Sequence, residues 1–155
     1  MKKCQIGEVI SKHELETIRS EQVQIPHPEH LIHLQFRRFA SCPICNRHLH
    51  SIVERHDEIV ANGIREVVVF YSSVEEMLPY QGDLPFAAIA DPEQTLYPEF
   101  GVESSTEAAP RGLPADFLIA PDGHVLACKY GVNPHDQWSV DELLSLARKQ
   151  VNPAQ

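Results

Sequence analysis

Two cysteines three positions apart, Cys42 and Cys45, lie in the stretch RRFASCPICNRHLH at residues 37–50, between two arginines and an arginine-histidine run. A C-x-x-C pair admits three chemistries: part of a zinc knuckle, an inert structural pair, or a redox couple. Tetrahedral zinc needs two further ligands, usually a second close pair, and Cys4 and Cys128 stand singly and far off. His48 and His50 are near but sit on a segment leading away from the motif. His27, His30 and His33 repeat every third residue, yet a proline-bounded loop running into a strand does not hold them on one face. The redox reading needs only what the motif contains. A cysteine between a strand and a helix N-terminus faces unpaired backbone N–H groups and the positive end of the helix dipole, which lowers a thiol from about 8.5 into the ~3.5–7.5 range. Cys42 takes that place, with Pro43 in the first turn, and Cys45 one turn on is set to attack a mixed disulfide at Cys42. Arg37, Arg38, Arg47 and His48 add positive charge around the pair.

The flanking elements must supply that strand and that helix. Residues 31–39, LIHLQFRRF, alternate as a strand. The helix after Cys42-Pro43 buries Leu49, Ile52, Val53, His56, Ile59 and Val60 at helical spacing and stops at Asn62-Gly63. REVVVFY at 65–71 is a continuous β-branched and aromatic run, the pattern of a parallel strand covered on both faces. A capping box, Ser73-x-x-Glu76, opens a short helix ending near Pro79-Tyr80, and residues 86–90 give another strand. Asp91-Pro92 predicts a helix through Leu96, Tyr97 and Phe100 to Gly101. After a polar loop over 103–112, residues 115–120 and 124–130 flank the turn Pro121-Asp122-Gly123 as a hairpin. A second capping box, Ser139-x-x-Glu142, starts a last helix facing the core with Val140, Leu143, Leu144 and Ala147. The first thirty residues read as an irregular extension with at most a short strand or hairpin before Ile25-Pro26-His27-Pro28. Cys128 reads as a small buried hydrophobe and Trp138 as a packing residue.

This order is α/β with a mixed central sheet flanked by helices, and the expectation is a single domain over 1–155. A chain of 155 residues, 43% hydrophobic and 23% charged, is ordinary for a globular protein. A net charge of −9 argues against a general nucleic-acid binder. The basic start is followed by Glu8, Lys12, Glu14 and Glu16, not by an apolar stretch, and the apolar runs are strand-sized; no secretion signal or membrane span is expected, and a cytoplasmic location is.

Three segments carry a resemblance: the strand-Cys42-Pro43-Ile44-Cys45-helix unit, residues 86–102 (FAAIADPEQTLYPEFGV), and residues 112–123 (GLPADFLIAPDG). Together, over about residues 31 to 150, the chain resembles the thioredoxin superfamily and, within it, the peroxiredoxin-like alkyl hydroperoxide reductase/thiol-specific antioxidant branch. The resemblance implies a thioredoxin-like fold with an inserted strand-helix unit and a C-terminal β-hairpin plus helix. It also implies a cis peptide at Leu113-Pro114 beside the thiols, where Pro114 would meet a partner. The chain departs from peroxiredoxins at three places. Their proline seven residues before the reactive cysteine is Gln35 here, their threonine or serine three before it is Phe39, and counting back from Phe117-Leu118-Ile119 finds Pro114 where they carry an arginine. Arg37, Arg38 or Arg111 stands as a candidate substitute. Loss of the hydroxyl at position 39 removes a peroxide-activating donor. The expected activity is therefore thiol–disulfide exchange by the Cys42–Cys45 pair without a bound cofactor. A thiol peroxidase with Cys42 peroxidatic and Cys45 resolving, and a non-enzymatic redox-sensing or zinc-binding module, are the alternatives. The expected partners are a thiol reductant, a disulfide-bearing protein or a small-molecule thiol, and a hydroperoxide in the peroxidase reading, for a monomer or homodimer.

Overall fold

A computed structural model of the chain describes residues 3–102 and 113–151. Five strands form the central sheet: β3 (Leu31–Phe36), β4 (Ile64–Phe70), β5 (Ala87–Ala90), β6 (Ala115–Ile119) and β7 (Val125–Tyr130). Their order is β5-β4-β3-β6-β7, with β3, β4 and β5 mutually parallel and β6 and β7 running against them. The sheet is mixed, as expected. Ahead of it the first residues form a separate antiparallel hairpin, β1 (His13–Glu16) with β2 (Gln22–Ile25). Among the described residues four helices complete the fold: α1 (Pro43–Glu54), α2 (His56–Ala61), α3 (Val74–Gln81) and α4 (Val140–Val151).

Because side chains alternate across a strand, the sheet has two distinct layers. On one face Leu49 and Ile52 of α1, Ile59 of α2, Met77 of α3 and Leu143, Leu144 and Ala147 of α4 pack on Ile64, Val68, Phe70 and Leu118. On the other face Ile32, Leu34, Phe36, Val67, Val69 and Phe117 pack with Tyr97, Phe100 and Val102. The REVVVFY run is thus covered on both sides, as its lack of alternation predicts. Both capping boxes form: Ser73 Oγ accepts from Glu76 N while Glu76 Oε1 accepts from Ser73 N, and Ser139 and Glu142 do the same.

Three expectations are corrected. The helix after the cysteines is broken at Arg55, whose φ of −116° and ψ of 19° leave the helical region; its guanidinium instead bonds Glu58 in α2 and Asp141 in α4. No helix forms after Asp91-Pro92. The Asp91 carboxylate accepts from Thr95 N, Thr95 Oγ1 and Leu96 N, further along than the N2 or N3 amides of a helix cap, and Gln94 turns left-handed at φ 55°. The segment crosses as turns, and Tyr97 and Phe100 still reach the core. Of the resemblance's inserted strand-helix unit, the strand is present and the helix is not. Finally, Leu113-Pro114 is not cis; among the described residues the cis bond is Ile25-Pro26. Pro114 lies immediately before β6, its carbonyl accepting from Gly131 N at 2.8 Å.

Candidate active site

The turn that delivers the cysteines is tied down before the helix starts. Cys42 N donates to Phe39 O at 3.0 Å, and Ala40 N donates to Ser72 Oγ at 2.9 Å. Asn46 Nδ2 donates to the carbonyls of Ala40 and Cys42 at 2.8 and 2.9 Å, and Gln81 Nε2 donates to Ala40 O and to Asn46 Oδ1. A side chain from α1 and one from α3 therefore brace the same turn. Pro43 then sits at the first helical position, where a missing N–H costs nothing.

Cys42 is the N-cap of α1, and its sulfur does what a serine or aspartate oxygen usually does: Sγ accepts from Cys45 N at 3.3 Å. The first turn of α1 contains no acidic residue, so no carboxylate competes for the positive helix end. Cys45 Sγ lies 2.7 Å from Cys42 Sγ and donates its proton to it; both cysteines are free thiols and both are buried. That donation is the largest influence on Cys42. Burial opposes it, but the backbone N–H groups of Cys45 and Ile44 and the charge of Arg38 help, and the thiol falls to about 6. Cys45 moves the other way, pushed far up by donating to Cys42 and by burial. One sulfur is a thiolate at neutral pH and the other is its proton-bearing neighbour.

Of the remaining candidates, Arg38 is buried with its guanidinium 5.0 Å from the Phe39 ring centroid, and its charge acts on Cys42. Arg111 lies outside the described residues. Pro114 is buried, and lines a small cavity with Lys3, Gly101, Val102, Tyr130 and Gly131. Cys4 and Cys128 are half-buried and both are raised, by burial first and by Glu8; Cys128 Sγ donates to Cys4 O at 3.7 Å. Trp138 packs, 5.7 Å from the His33 ring. The three spaced histidines separate: the His27 and His30 rings meet at a tilt with centroids 4.8 Å apart, while His33 points into the helix-covered face. Among the described residues no three His, Cys, Asp or Glu side chains gather as a metal site, and no helix is long and apolar enough to cross a membrane.

Two of the basic residues placed near the thiols do something else. Arg37 is fully buried and its guanidinium bonds Asp116 Oδ1 and Gln35 Oε1 at 2.8 Å, with the carbonyls of Phe36 and Ala115. Asp116 also accepts from His33 Nε2 at 2.7 Å and from Trp138 N; His33 Nδ1 meets Glu66 at 2.7 Å, and Gln35 Nε2 donates to Glu66 Oε1. The four charges close on themselves under α1. Burial alone would lower His33, but the Glu66 and Asp116 carboxylates outweigh it and raise the imidazole to about 9. Burial likewise opposes ionisation of Asp116, and Arg37 and His33 overcome it, holding the carboxyl well below its ordinary range. His48 is pushed down to about 4, by burial first and then by Arg37, so its ring is neutral and adds no charge to the thiolate. The sequence reading missed this assembly. Its signal was polar residues at one parity of two strands, His33, Gln35 and Arg37 in β3 and its extension and Glu66 in β4.

The fold agrees with known structures, and the sequence with a known family. Among solved structures, the peroxidoxin BcpB from Mycobacterium tuberculosis is 16% identical with a TM-score of 0.78, covering 92% of this chain and 96% of that one. The AhpC of Mycobacterium tuberculosis is 14% identical with a TM-score of 0.80, covering 98% and 96%. The reduced 2-Cys peroxiredoxin of Plasmodium vivax is 14% identical with a TM-score of 0.81, covering 96% and 83%. Identities this low establish the shared thioredoxin-like fold. None of the curated proteins matches in sequence. The AhpC/TSA family model, however, matches residues 6–128, the greater part of the chain and all of the dithiol turn, so this protein belongs to the AhpC/TSA family.

Proposed function

We propose that the protein, a thiol-dependent oxidoreductase by family, works chiefly by dithiol–disulfide exchange through Cys42 and Cys45. The observation that carries this reading is the 2.7 Å contact in which Cys45 Sγ donates to Cys42 Sγ. The Cys42 thiolate attacks one sulfur of a substrate disulfide and expels the other as a thiolate, which takes up a proton. Cys45, its proton passing to the second leaving sulfur, then attacks Cys42 Sγ and releases the reduced substrate. Two electrons pass to the substrate, which leaves as two thiols, and the protein keeps one internal disulfide. Gln35 and Phe39 support this ranking. Gln35 is committed to Glu66 and Arg37, and Phe39 offers no hydroxyl to a peroxide.

Hydroperoxide reduction is the second reading, favoured by the family match. There the same thiolate attacks the terminal peroxide oxygen, an alcohol or water leaves, and Cys45 condenses with the sulfenic acid, losing water. Cys42→Ser abolishes turnover in both readings. Cys45→Ser separates them. In disulfide exchange it accumulates a mixed disulfide on Cys42, seen by intact mass, and stopped-flow peroxide consumption is slow in the unmodified protein. Fast peroxide consumption that survives Cys45→Ser reverses the ranking, and a Cys42 alkylation midpoint near 8.5 removes the thiolate on which both depend.

A further inference from the structure

Beside the dithiol lies a cavity of about 260 Å³ that neither reading uses. Ile44, Arg47, His48 and Ser51 line it from one face of α1, at positions i, i+3, i+4 and i+7, and His135 and Gln137 close it from the segment before α4. Ile44 is the second of the two residues between the cysteines, Pro43 being the first. The cavity therefore opens along the helix from the reactive turn.

Among the described residues, two of its polar atoms have no hydrogen-bond partner. Gln137 is only 9% exposed; its Nε2 donates to Pro134 O at 2.8 Å while its Oε1 has no partner. His48 Nε2 is likewise buried and without a partner. The other side of the His48 ring is held by the Trp138 backbone, which leaves Nε2 as an acceptor in the neutral imidazole. Buried acceptors left unmade cost about 1–3 kcal/mol each, and two flanking one cavity call for a shared donor. At the rim, exposed Arg47 makes no ion pair among the described residues, and exposed His135 stands opposite. The neighbouring carboxylates are already taken: Asp136 by Lys129 at 2.9 Å, Asp141 by Arg55 at 2.7 Å, and Glu54 by His50 at 2.9 Å.

We propose that this cavity binds the small-molecule thiol that re-reduces the Cys42–Cys45 disulfide, and that the thiol is peptide-like: amide or ammonium N–H groups for Gln137 Oε1 and His48 Nε2, and a carboxylate for Arg47. The inference rests on the dithiol reading and adds the class of its reductant. Seated there, a first thiolate attacks Cys42 Sγ, breaking the internal bond and freeing Cys45, which takes a proton. A second thiol molecule displaces Cys42 as thiolate and leaves as the small disulfide, so two thiols supply the two electrons and both protons. A volume near 260 Å³, just under the ~300–1,000 Å³ of ordinary ligand pockets, suits a small ligand and is small for a folded protein's loop.

Glutathione serves as the peptide-like probe, 2-mercaptoethanol as the neutral one, and S-methylglutathione as a ligand that cannot react. With the oxidised protein, the rate per thiolate is expected to favour glutathione. The exposed-site variant Arg47→Glu and, separately, Gln137→Leu should each lower the glutathione to 2-mercaptoethanol ratio by about tenfold, the loss of one charge-assisted or buried hydrogen bond. S-methylglutathione should give saturable amide shifts confined to residues 44–51 and 134–138, weakened in both variants. Equal ratios in the three proteins, or S-methylglutathione shifts that do not saturate or fall elsewhere, would overturn the inference and leave the dithiol chemistry standing if 2-mercaptoethanol still reduces the pair. Failure of both thiols to reduce the oxidised protein strikes the dithiol reading itself.

Discussion

The two faces of the central sheet come from the same strands, and both pack apolar side chains, but they differ in what the middle of the sheet buries. Toward the turn segment, Phe36, Tyr97, Phe100 and Phe117 interlock with ring centroids 5.0 to 5.8 Å apart, and the layer is apolar throughout. Toward α1, the middle of the sheet carries His33, Gln35, Arg37, Glu66 and Asp116, all buried and joined by hydrogen bonds. An apolar layer gains stability from area alone. A charged layer gains little net stability, because desolvation offsets attraction, but losing one member is severe. The reactive helix rests on the face that combines apolar packing with buried charge, and its charged members are the residues least tolerant of loss.

The sharpest way to break this contrast is Asp116→Ala. It leaves Arg37 and His33 buried without their shared carboxylate and is expected to cost about 3–5 kcal/mol by urea denaturation; a loss below about 1 kcal/mol would mean that the layer is not charged as described. A pH series comes next. His33 is raised from 6.5 to about 9, so its contribution is complete below pH 6.5 and disappears as pH rises to 9. That shift corresponds to on the order of 3 kcal/mol. Cys42 runs the opposite way in the same window: lowered from 9.0 to about 6, it adds stability as pH rises. The reduced wild type should therefore show a flattened profile between pH 6.5 and 9, and Cys42→Ser a falling one; a Cys42→Ser profile that rises there would contradict the assignment of His33. The smallest effect belongs to the apolar face. Phe36→Leu should cost about 1 kcal/mol and leave the alkylation midpoint of Cys42 near 6, whereas a moved midpoint would show that the two faces are coupled.

What the sequence disclosed follows from how far apart the cooperating residues lie. Cys42, Pro43 and Cys45 form a local unit, and its N-cap geometry is written in four consecutive residues. The same holds for the Ser73/Glu76 and Ser139/Glu142 caps. The helix expected after Asp91-Pro92 failed for a reason just as local but weaker in the letters: Asp91 bonds a turn further on, and Gln94 takes a backbone angle that a pattern of apolar residues does not betray. Arg37 was legible as a charge near the thiols but not as the partner of Asp116, since that pairing spans 79 positions. The buried assembly is the product of strand register, His33 opposite Glu66 and Gln35 opposite Asp116. Register is set by the whole sheet, so only the misplaced polarity of single residues announced it. The unpaired Gln137 Oε1 and His48 Nε2 were invisible for the same reason.

The brace that Asn46 and Gln81 place on the turn before Cys42 has a consequence for oxidation. With the sulfurs already 2.7 Å apart and the carbonyls of Ala40 and Cys42 anchored from two helices, closing the pair asks little of the turn itself, and the first thing to change is electrical: the Cys42 thiolate is gone.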